Sequence, residues 1–284
     1  MIVNELGALA LDAALVVGAI DEVLVLRDGC LCCEVRGDLI RTIHNLLTKR
    51  NRFFRPLRFE RLVVETSGLA SPGPVAQSFL IDPRLAAETR LHDIIAVAHA
   101  AHIRDQLTRH PEAVAQLACA DQVLLNHADE VSEEALADAL SAVRELQPLA
   151  TVLPTSRADT PIGALLRRGE GPAAWPAVQV EGQEGSAHTP GVQTVVLRHP
   201  GPVDLHRLKM LLQLICSRPG WEILRIKGIF RCTDQDRPVV AHGIHQWLEL
   251  GPGPGNPPLE SALMVVGRGI DPDIIGRGWR AALA

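Results

Sequence analysis

The feature that most restricts the fold is the alternation of short apolar runs with amphipathic stretches through the first 166 residues. The apolar runs, rich in Val, Ile and Leu, are residues 21–26, 61–65, 93–98, 121–126 and 150–153. Between them Leu39, Ile43 and Leu47 recur at helical spacing, and Ser132 followed by two glutamates predicts the start of a helix that ends near Leu146. Such strands, separated by helices, are typical of parallel βαβ units buried on both faces. The first half is predicted to be α/β.

The second half follows a different pattern. Residues 169–191 are rich in Gly, Pro, Glu and Ala without periodicity, which predicts a linker. Beyond them, strands are predicted at residues 192–199, 222–232, 238–250 and 261–266, with helices over 204–217 and near Asp273, the latter capped at Asp271, and a Pro/Gly-rich loop at 251–258. We therefore predict three parts: an α/β domain over 1–168, the linker, and a smaller α+β domain of mostly antiparallel strands over 192–284.

Composition narrows the class of partner. Acidic residues (33) outnumber basic ones (28), and aromatics make up 3% with no tyrosine, so binding to nucleic acid or to an acidic membrane is not expected. No run of 18 apolar residues occurs, and the first 20 residues carry Glu5 and Asp12 without a positive segment, so neither a membrane span nor a signal peptide is predicted. Three of the six cysteines lie within four positions, which suits metal binding better than disulfides, and Cys119, Cys216 and Cys232 are expected in the core. We predict a cytoplasmic protein.

The clustered cysteines form the motif Gly29-Cys30-Leu31-Cys32-Cys33, between a predicted strand and a helix predicted to begin near Asp38. Three thiolates supply three corners of a tetrahedral Zn²⁺ site and leave one position for another ligand or a partner. No second Cys-x-x-Cys is present, which favours an exchangeable site over a structural one. Cu⁺, Co²⁺ and Ni²⁺ stay open as alternatives. The competing interpretation is that these small side chains only pack a tight turn.

A second motif, Val-Val-Glu-Thr-Ser-Gly, occupies residues 63–68. A buried strand that ends in an acidic residue, followed by a flexible glycine, suits a nucleoside triphosphate site at the carboxyl edge of a parallel sheet. There Glu65 would hold Mg²⁺ through water or orient the attacking water, and the Gly68 N–H would sense a γ-phosphate. The same pattern also occurs in ordinary turns.

The third motif is Asn126-His127-Ala128-Asp129, at the end of a predicted strand. It resembles the Asn-Lys-x-Asp element with which GTPases read guanine. In that element the Asp carboxylate accepts hydrogen bonds from the guanine N1–H and amino group, which adenine does not offer. His127 takes the place of the lysine, whose stem packs along the nucleotide. We expect this change to weaken binding without altering the preference for guanine.

Taken in order, several segments carry a resemblance to one family. They are residues 3–12 (beginning Val-Asn-Glu-Leu-Gly and ending in Asp), 29–33, 36–39, 65–72, 74–77, 126–129, 224–229 and 265–268. In this combination the chain resembles the CobW-type metal-handling GTPases, relatives of UreG and HypB, over nearly its whole length. The resemblance implies a P-loop NTPase-like, mostly parallel sheet followed by the CobW C-terminal domain.

The resemblance also implies roles. Residues 4–12 would form a switch segment. The implied roles are metal ligation by Cys30, Cys32, Cys33 and Glu5, catalysis by Glu65 and Gly68, and nucleotide binding by Asp12, Asn126 and Asp129. Proteins of this family are thought to deliver zinc or cobalt to client proteins under the control of GTP and Mg²⁺. The sequence leaves open whether the chain forms a homodimer.

The main departure from the family concerns the phosphate-binding loop. Family members begin with a strand, a Walker A loop (G-x-x-x-x-G-K-[ST]) and a helix, whereas this sequence starts at the next strand. None of its three lysines (Lys49, Lys209 and Lys227) follows a glycine. The phosphate cradle and its cation are therefore not encoded, and we expect no useful GTP hydrolysis from the chain as written. Smaller departures are Ala8 and His99, where the family has acidic residues, and His127.

The sequence thus predicts a GTP-dependent metallochaperone whose first strand and P-loop are missing. Two alternatives stay open. One is a non-enzymatic paralogue that keeps the metal site or the C-terminal domain for partner docking, and the other is a gene fragment without independent function. The metallochaperone is favoured because Glu65, Gly68, Asn126 and Asp129 have no obvious purpose in a chain that never binds nucleotide.

Overall fold

The computed structural model describes residues 2–4, 24–26, 33–54, 56–66, 68, 70–165, 191–253 and 255–284. Nearly all of the predicted linker lies outside these residues. The chain forms two compact units, Met1–His92 and Asp93–Ala284. Among the helices within the described ranges, none has the length and apolar character that a membrane span requires.

The described residues of the first unit form a parallel three-stranded sheet in the order β2-β1-β3 and three helices. Its elements are β1 (Ile2–Asn4), β2 (Leu24–Leu26), α1 (Cys33–Arg50), β3 (Val64–Glu65), α2 (Pro72–Ile81) and α3 (Pro83–Glu88). The predicted apolar face of α1, which includes Leu39, Ile43 and Leu47, is buried against Leu85. The helix begins at Cys33 rather than near Asp38. The apolar residues that predicted this helix, Leu39, Ile43 and Leu47, all lie beyond its first turn. Their spacing therefore did not indicate where the helix begins.

The second unit begins with another parallel sheet, in the order β4-β5-β6. Its elements are β4 (Ile95–His99), α4 (Ile103–Arg109), α5 (Pro111–Cys119), β5 (Gln122–Asn126), a 3₁₀ turn (Ala128–Glu130), α6 (Glu133–Leu146), β6 (Thr151–Pro154) and α7 (Ile162–Leu165). β5 is the central strand and is almost fully buried, as its continuous apolar run predicted. Ser132 caps α6 by accepting a hydrogen bond from the Ala135 N–H at 3.2 Å, which confirms the predicted start of that helix.

From residue 191 onward, the residues that the structure describes form an antiparallel sheet in the order β10-β9-β8-β11-β7, with two helices. Its elements are β7 (Val192–His199), α8 (Leu205–Ser217), β8 (Glu222–Phe230), β9 (Val239–Ile244), β10 (Trp247–Pro252), β11 (Ser261–Arg268) and α9 (Pro272–Ala282). One prediction was wrong here, because residues 238–250 do not form a single strand. His245 and Gln246 connect β9 to β10 as a hairpin, with His245 at φ +53°. No glycine or asparagine marks this turn, so no turn signal is present in the sequence.

The antiparallel sheet is buried on both faces. Met264 and Val266 of β11 belong to a core that also contains α5, α6 and β5. Leu263 and Val265 point the opposite way, into a core formed with α8 and α9. This alternation follows the two-residue period of a strand. The sheet therefore packs directly against the layer that includes β5, the strand that carries the guanine-type motif at its end.

Candidate functional site

The carboxyl ends of β4 and β5 bring two predicted positions together. His99 and Asn126 are the last residues of these strands and lie opposite each other in the parallel register. The Ala100 N–H donates to the Asn126 carbonyl oxygen at 2.9 Å. The carboxyl edge of a parallel sheet is where α/β proteins bind their ligands. The Asn126–Asp129 motif therefore lies where a nucleotide base would be read.

Asn126 holds the loop that follows β6. Its Oδ1 accepts a hydrogen bond from the Ala158 N–H at 2.8 Å. The loop is tied to β5 a second time, by the Thr155 N–H that donates to the Leu125 carbonyl oxygen at 3.0 Å. Arg157 and Ala158 have φ of +53° and +52°, so both take the left-handed conformation, which is uncommon for residues other than glycine. With Oδ1 engaged, Asn126 still has two amide N–H donors for a ligand.

Asp129 is an exposed carboxylate in the 3₁₀ turn that follows Asn126. A hydrogen bond from the Ser156 side chain, supported by the backbone N–H of Asp129 itself, lowers the pKa of this carboxyl. It is therefore ionised at neutral pH and can only accept hydrogen bonds. Guanine offers two adjacent donors, N1–H and the amino group, and an ionised carboxylate in this position matches both.

Sequence reasoning missed the loop after β6. Ser156 and Ala158 contact the two predicted guanine readers, yet neither was a candidate. A signal was available, because Thr155 and Ser156 follow the strand predicted at 150–153 after one intervening proline, and both are residues that favour turns. Ala158 lies 32 positions after Asn126, and no local pattern joins the two. Only the parallel pairing of β5 with β6 brings the motif and the loop together.

His127, in place of the lysine of the motif, forms a small aromatic stack. Its backbone is left-handed at φ +59°, and its Nδ1 lies 2.8 Å from Oε1 of Glu130. Its ring stacks on that of His99 with centroids 4.2 Å apart and planes at 8°. The ring of His102, at the N-cap of α4, lies 4.5 Å from that of His99. Burial, and then the nearby His127 and His102 rings, lower the pKa of His99, which is therefore neutral at pH 7.

The remaining predicted site residues belong to the first unit. Glu65 ends β3 opposite Val3 of β1 and is exposed. Gly68 is also exposed, and a Cβ placed there would meet none of the described atoms within 4 Å. Cys33 is the first residue of α1. Four predicted site residues lie outside the described residues: Glu5, Asp12, Cys30 and Cys32.

The other three cysteines are core residues, as predicted. Cys119 and Cys232 are buried and Cys216 is half-buried. Burial raises the pKa of each thiol to about 11. A thiol with this pKa is protonated at neutral pH and is a poor metal ligand. If the chain uses thiolates to bind a metal, the Cys30–Cys33 motif is the better candidate.

A buried charged cluster lies at the opposite, amino end of β5. The Asp121 carboxylate pairs with Arg225 at 2.7 Å and also with Lys227, both from β8. Arg225 and Lys227 are two residues apart on one face of the strand, within the Leu-Arg-Ile-Lys-Gly-Ile segment of the sequence. Burial would raise the pKa of Asp121, but these two cations outweigh it and hold that pKa well below its usual range. The cluster joins β5 to the antiparallel sheet.

Fold and site together define a class: an α/β protein with a guanine-type motif at the carboxyl edge of a parallel sheet and an added antiparallel-sheet domain. Comparison with family models agrees with this description. The model of the CobW/HypB/UreG nucleotide-binding domain matches residues 1–154. The model of the cobalamin synthesis protein CobW C-terminal domain matches residues 192–283. The chain belongs to the CobW/HypB/UreG family, which confirms the resemblance found in its motifs.

Several curated proteins are similar to the chain. It is 24% identical to the zinc chaperone YjiA of Escherichia coli over 249 residues, which cover 87% of this chain and 77% of YjiA. It is 30% identical to zinc-regulated GTPase metalloprotein activator 1 of Schizosaccharomyces pombe over 137 residues, 48% of this chain and 32% of that protein. It is 29% identical to the zinc chaperone CobW of Pseudomonas aeruginosa over 198 residues, 58% of this chain and 51% of that one.

The fold is also shared with a solved structure. The crystal structure of the Zn(II)-bound YjiA GTPase from E. coli superposes with a TM-score of 0.69 at 21% identity, over 92% of this chain and 80% of that one. The predicted fold class, a P-loop NTPase-like α/β core followed by a smaller domain with an antiparallel sheet, is thereby confirmed.

Proposed function

We propose that the chain is a zinc chaperone whose metal handling is controlled by GTP. The observation that carries this proposal is the geometry of Asp129, an ionised carboxylate held by Ser156 at the carboxyl end of β5. That arrangement suits guanine and not adenine. The relatives named zinc chaperones and zinc-regulated GTPase activators support zinc as the metal.

The proposed division of labour follows the motifs. Asp129 and Asn126 bind the guanine base, with Asp12 as a further nucleotide contact. Glu65 and Gly68 respond to the γ-phosphate and to Mg²⁺. Cys30, Cys32, Cys33 and Glu5 hold Zn²⁺, or Co²⁺ in its place, and pass it to a client protein in the cytoplasm. We place the nucleotide and metal sites in a domain over residues 1–168 and a docking role in residues 192–284.

No motif of comparable strength in these residues would bind the phosphates of GTP. The 284 residues contain no glycine followed by lysine and therefore no G-x-x-x-x-G-K-[ST] loop. We accordingly propose base recognition and metal binding as the activities of these residues, and we propose that they do not turn over GTP.

The guanine assignment is tested by equilibrium binding of fluorescently labelled GDP, ADP and xanthosine diphosphate to the full chain. The chain should prefer GDP over ADP. Asp129→Asn replaces an acceptor with a donor and should weaken GDP roughly tenfold to a hundredfold, the equivalent of a hydrogen bond to a charged group. The same variant should gain affinity for xanthosine diphosphate, because xanthine has a carbonyl where guanine has an amino group.

Asp138→Asn is the matched control for that experiment, because Asp138 is a solvent-exposed acid on α6 whose partner is Arg104. It should bind all three nucleotides as the unmodified chain does. Equal affinity of the unmodified chain for GDP and ADP would contradict guanine recognition.

The metal assignment is tested by Zn²⁺ stoichiometry. Joint replacement of Cys32 and Cys33 by serine should remove one equivalent of tightly bound Zn²⁺, whereas Cys216→Ser, at a half-buried protonated thiol, should remove none. Unchanged Zn²⁺ binding in the double variant would contradict the assignment of these cysteines as ligands.

The competing function is a metal-binding, partner-docking protein without nucleotide control, and His127 in place of lysine favours it. That protein would bind Zn²⁺ with the same affinity in the presence and absence of GTP. A GTP-controlled chaperone requires the two affinities to differ.

A further inference from the structure

Three side chains at the edge of the β4-β5-β6 sheet have the chemistry of a metal site. The nearest potential ligand atoms of His99, His127 and Glu130 all lie within 4.8 Å of one another. Two imidazoles and one carboxylate are ligands for borderline dications such as Zn²⁺, Co²⁺ and Ni²⁺, and a three-ligand set leaves a coordination position open. None of the three belongs to the cysteine motif.

We propose that His99, His127 and Glu130, none of them in the cysteine motif, form a second metal site that binds a transition-metal dication such as Zn²⁺ beside the proposed guanine-reading residues. The backbone holds the three residues in place. His99 ends β4 next to Asn126 at the end of β5. His127 follows directly, and the Glu130 N–H donates to its carbonyl oxygen at 3.2 Å, which closes the 3₁₀ turn.

Without a metal, hydrogen bonds occupy the ligand atoms. His127 Nδ1 lies 2.8 Å from Glu130 Oε1, and His99 Nδ1 accepts from the Ala101 N–H at 3.2 Å. A metal would replace these contacts. The net stabilisation from each such hydrogen bond is small, because water satisfies the same groups when the bond breaks, and it is little against the affinity of two imidazoles and a carboxylate for a dication.

Ligation also requires a change in ring orientation. An imidazole binds metal in the plane of its ring, and the parallel stack of His99 on His127 keeps the two lone pairs from converging. Two of the three groups reach solvent and have room to reorient, since the side chains of His127 and Glu130 are 35% and 59% exposed.

Occupation of this site would act on the guanine-reading segment, and this consequence rests on the proposed function. His127 and Glu130 flank the turn that carries Asp129. A metal bound to both would fix that turn in one conformation. If the fixed conformation favours or disfavours guanine, nucleotide and metal change each other's affinity by the same factor.

The test is a Co²⁺ titration of the full chain followed by visible absorption, because Co²⁺ reports its ligands. Cobalt on nitrogen and oxygen ligands gives d–d bands alone, whereas cobalt at the cysteine motif adds thiolate-to-metal charge transfer. We expect a component without charge transfer. His99→Asn, His127→Asn and Glu130→Gln should each weaken it at least about tenfold, since loss of a group that merely orients a ligand already costs about 10–100-fold.

Asparagine at 127 tolerates the left-handed backbone, and Glu130→Gln keeps the shape of an exposed side chain, so these variants should fold. His110→Asn is the control, because His110 is exposed and outside the three-residue set. It should leave the component unchanged. Absence of the component from the unmodified chain, or its survival at full affinity in all three variants, would overturn the proposal.

The two proposed metal sites can be refuted independently of each other. Charge-transfer absorption reports the cysteine motif, so its absence counts against the proposed function and leaves the second site standing. Coupling is read from GDP affinity with and without Zn²⁺, in the unmodified chain and in Glu130→Gln. We expect Zn²⁺ to change GDP affinity less in Glu130→Gln than in the unmodified chain, because Zn²⁺ at the cysteine motif acts equally in both. An equal effect of Zn²⁺ in both would refute coupling through this site.

Discussion

At the scale of single residues, Asp121 is a buried carboxylate whose charge depends on two neighbouring cations for its stabilisation. Its carboxylate is nearly inaccessible to water and sits between Arg225 and Lys227, which are themselves buried or half-buried. Its Oδ2 also accepts from the Ile94 N–H at 2.8 Å. Removal of water from three charges is unfavourable, and their mutual attraction offsets this only while all three are present.

We therefore expect Asp121→Asn to be strongly destabilising. It leaves two buried cations without their anion and should lower the free energy of unfolding by about 3–5 kcal/mol, measured by urea denaturation. Asp138→Asn, which removes a carboxylate paired with Arg104 at the surface, should have little effect on the same measurement. Similar midpoints for both variants would show that the buried cluster is not coupled to folding.

The pH dependence of stability follows from the same cluster. The two cations lower the pKa of Asp121 in the folded chain, so the unfolded chain binds a proton first as pH falls. The stabilisation is complete above the unfolded pKa of about 3.9 and is lost below it. The difference in stability between the unmodified chain and Asp121→Asn should accordingly be constant from about pH 5 to 7 and shrink below about pH 4. A difference that grows on acidification would contradict this sign.

Residue roles that depend on neighbours in sequence were predictable, and those that depend on distant residues were not. Ser132 as a helix cap, Asp271 as a helix cap and Cys119 as a core residue were all predicted from their local patterns and are confirmed. The partnership of Asp121 with Arg225 joins residues 104 positions apart, and nothing near either one indicates it. The contact of Ser156 with Asp129 was missed for the same reason.

At the scale of single elements, β8 contains a glycine that the packing requires. A Cβ at Gly228 would overlap the ring of Phe230, which is fully buried and packs near Trp279 with ring centroids 6.1 Å apart. The ring has no free space into which to move. Gly228→Ala should therefore destabilise the chain by roughly 1–3 kcal/mol, the usual effect of overpacking a core, as measured by thermal denaturation.

Gly251 of β10 provides the comparison for Gly228. A Cβ there would meet nothing within 4 Å, so Gly251→Ala should be close to neutral. Were both variants equally stable, close packing around Gly228 would not be the reason for a glycine in this strand.

Helix α6 begins shortly after the turn that contains Asp129, and its cap fixes where it starts. Ser132→Ala removes the acceptor for the Ala135 N–H and should lower stability by about 1 kcal/mol. Ser132→Asp, which retains an acceptor, should restore it. Hydrogen exchange of the Ala135 amide provides the measurement, with faster exchange expected only in the alanine variant.

Helices and strands were predicted well wherever the spacing of apolar residues was regular. The strands that became β5, β7 and β11 and the helices α6 and α8 appear at or close to their predicted positions. The hairpin at His245 was missed because a histidine, and not glycine or asparagine, adopts the left-handed conformation there. Strand order was not predictable at all, because each ladder pairs segments that only the folded chain brings together.

At the scale of the whole molecule, one core joins the parallel sheet that carries the guanine-type motif to the antiparallel sheet. Leu224 of β8 lies in that core with Leu125 of β5, and its carbonyl oxygen accepts a long hydrogen bond from the Cys119 thiol at 3.7 Å. Leu212 of α8 is equally buried but belongs to the separate core beneath the other face of the antiparallel sheet. The two leucines match in chemistry and burial and differ in what they connect.

Because the two leucines lie in different cores, replacing each one tests whether the antiparallel sheet stabilises β5. Leu224→Ala and Leu212→Ala should each cost about 2–5 kcal/mol, because each leaves a cavity in a packed core. Under native conditions, Leu224→Ala should also accelerate hydrogen exchange of the β5 amides, whereas Leu212→Ala should act mainly on α8 and α9. If both variants accelerate β5 equally, the second unit opens only as a whole. If Leu224→Ala acts selectively, the antiparallel sheet stabilises the strand that leads into Asn126 and Asp129.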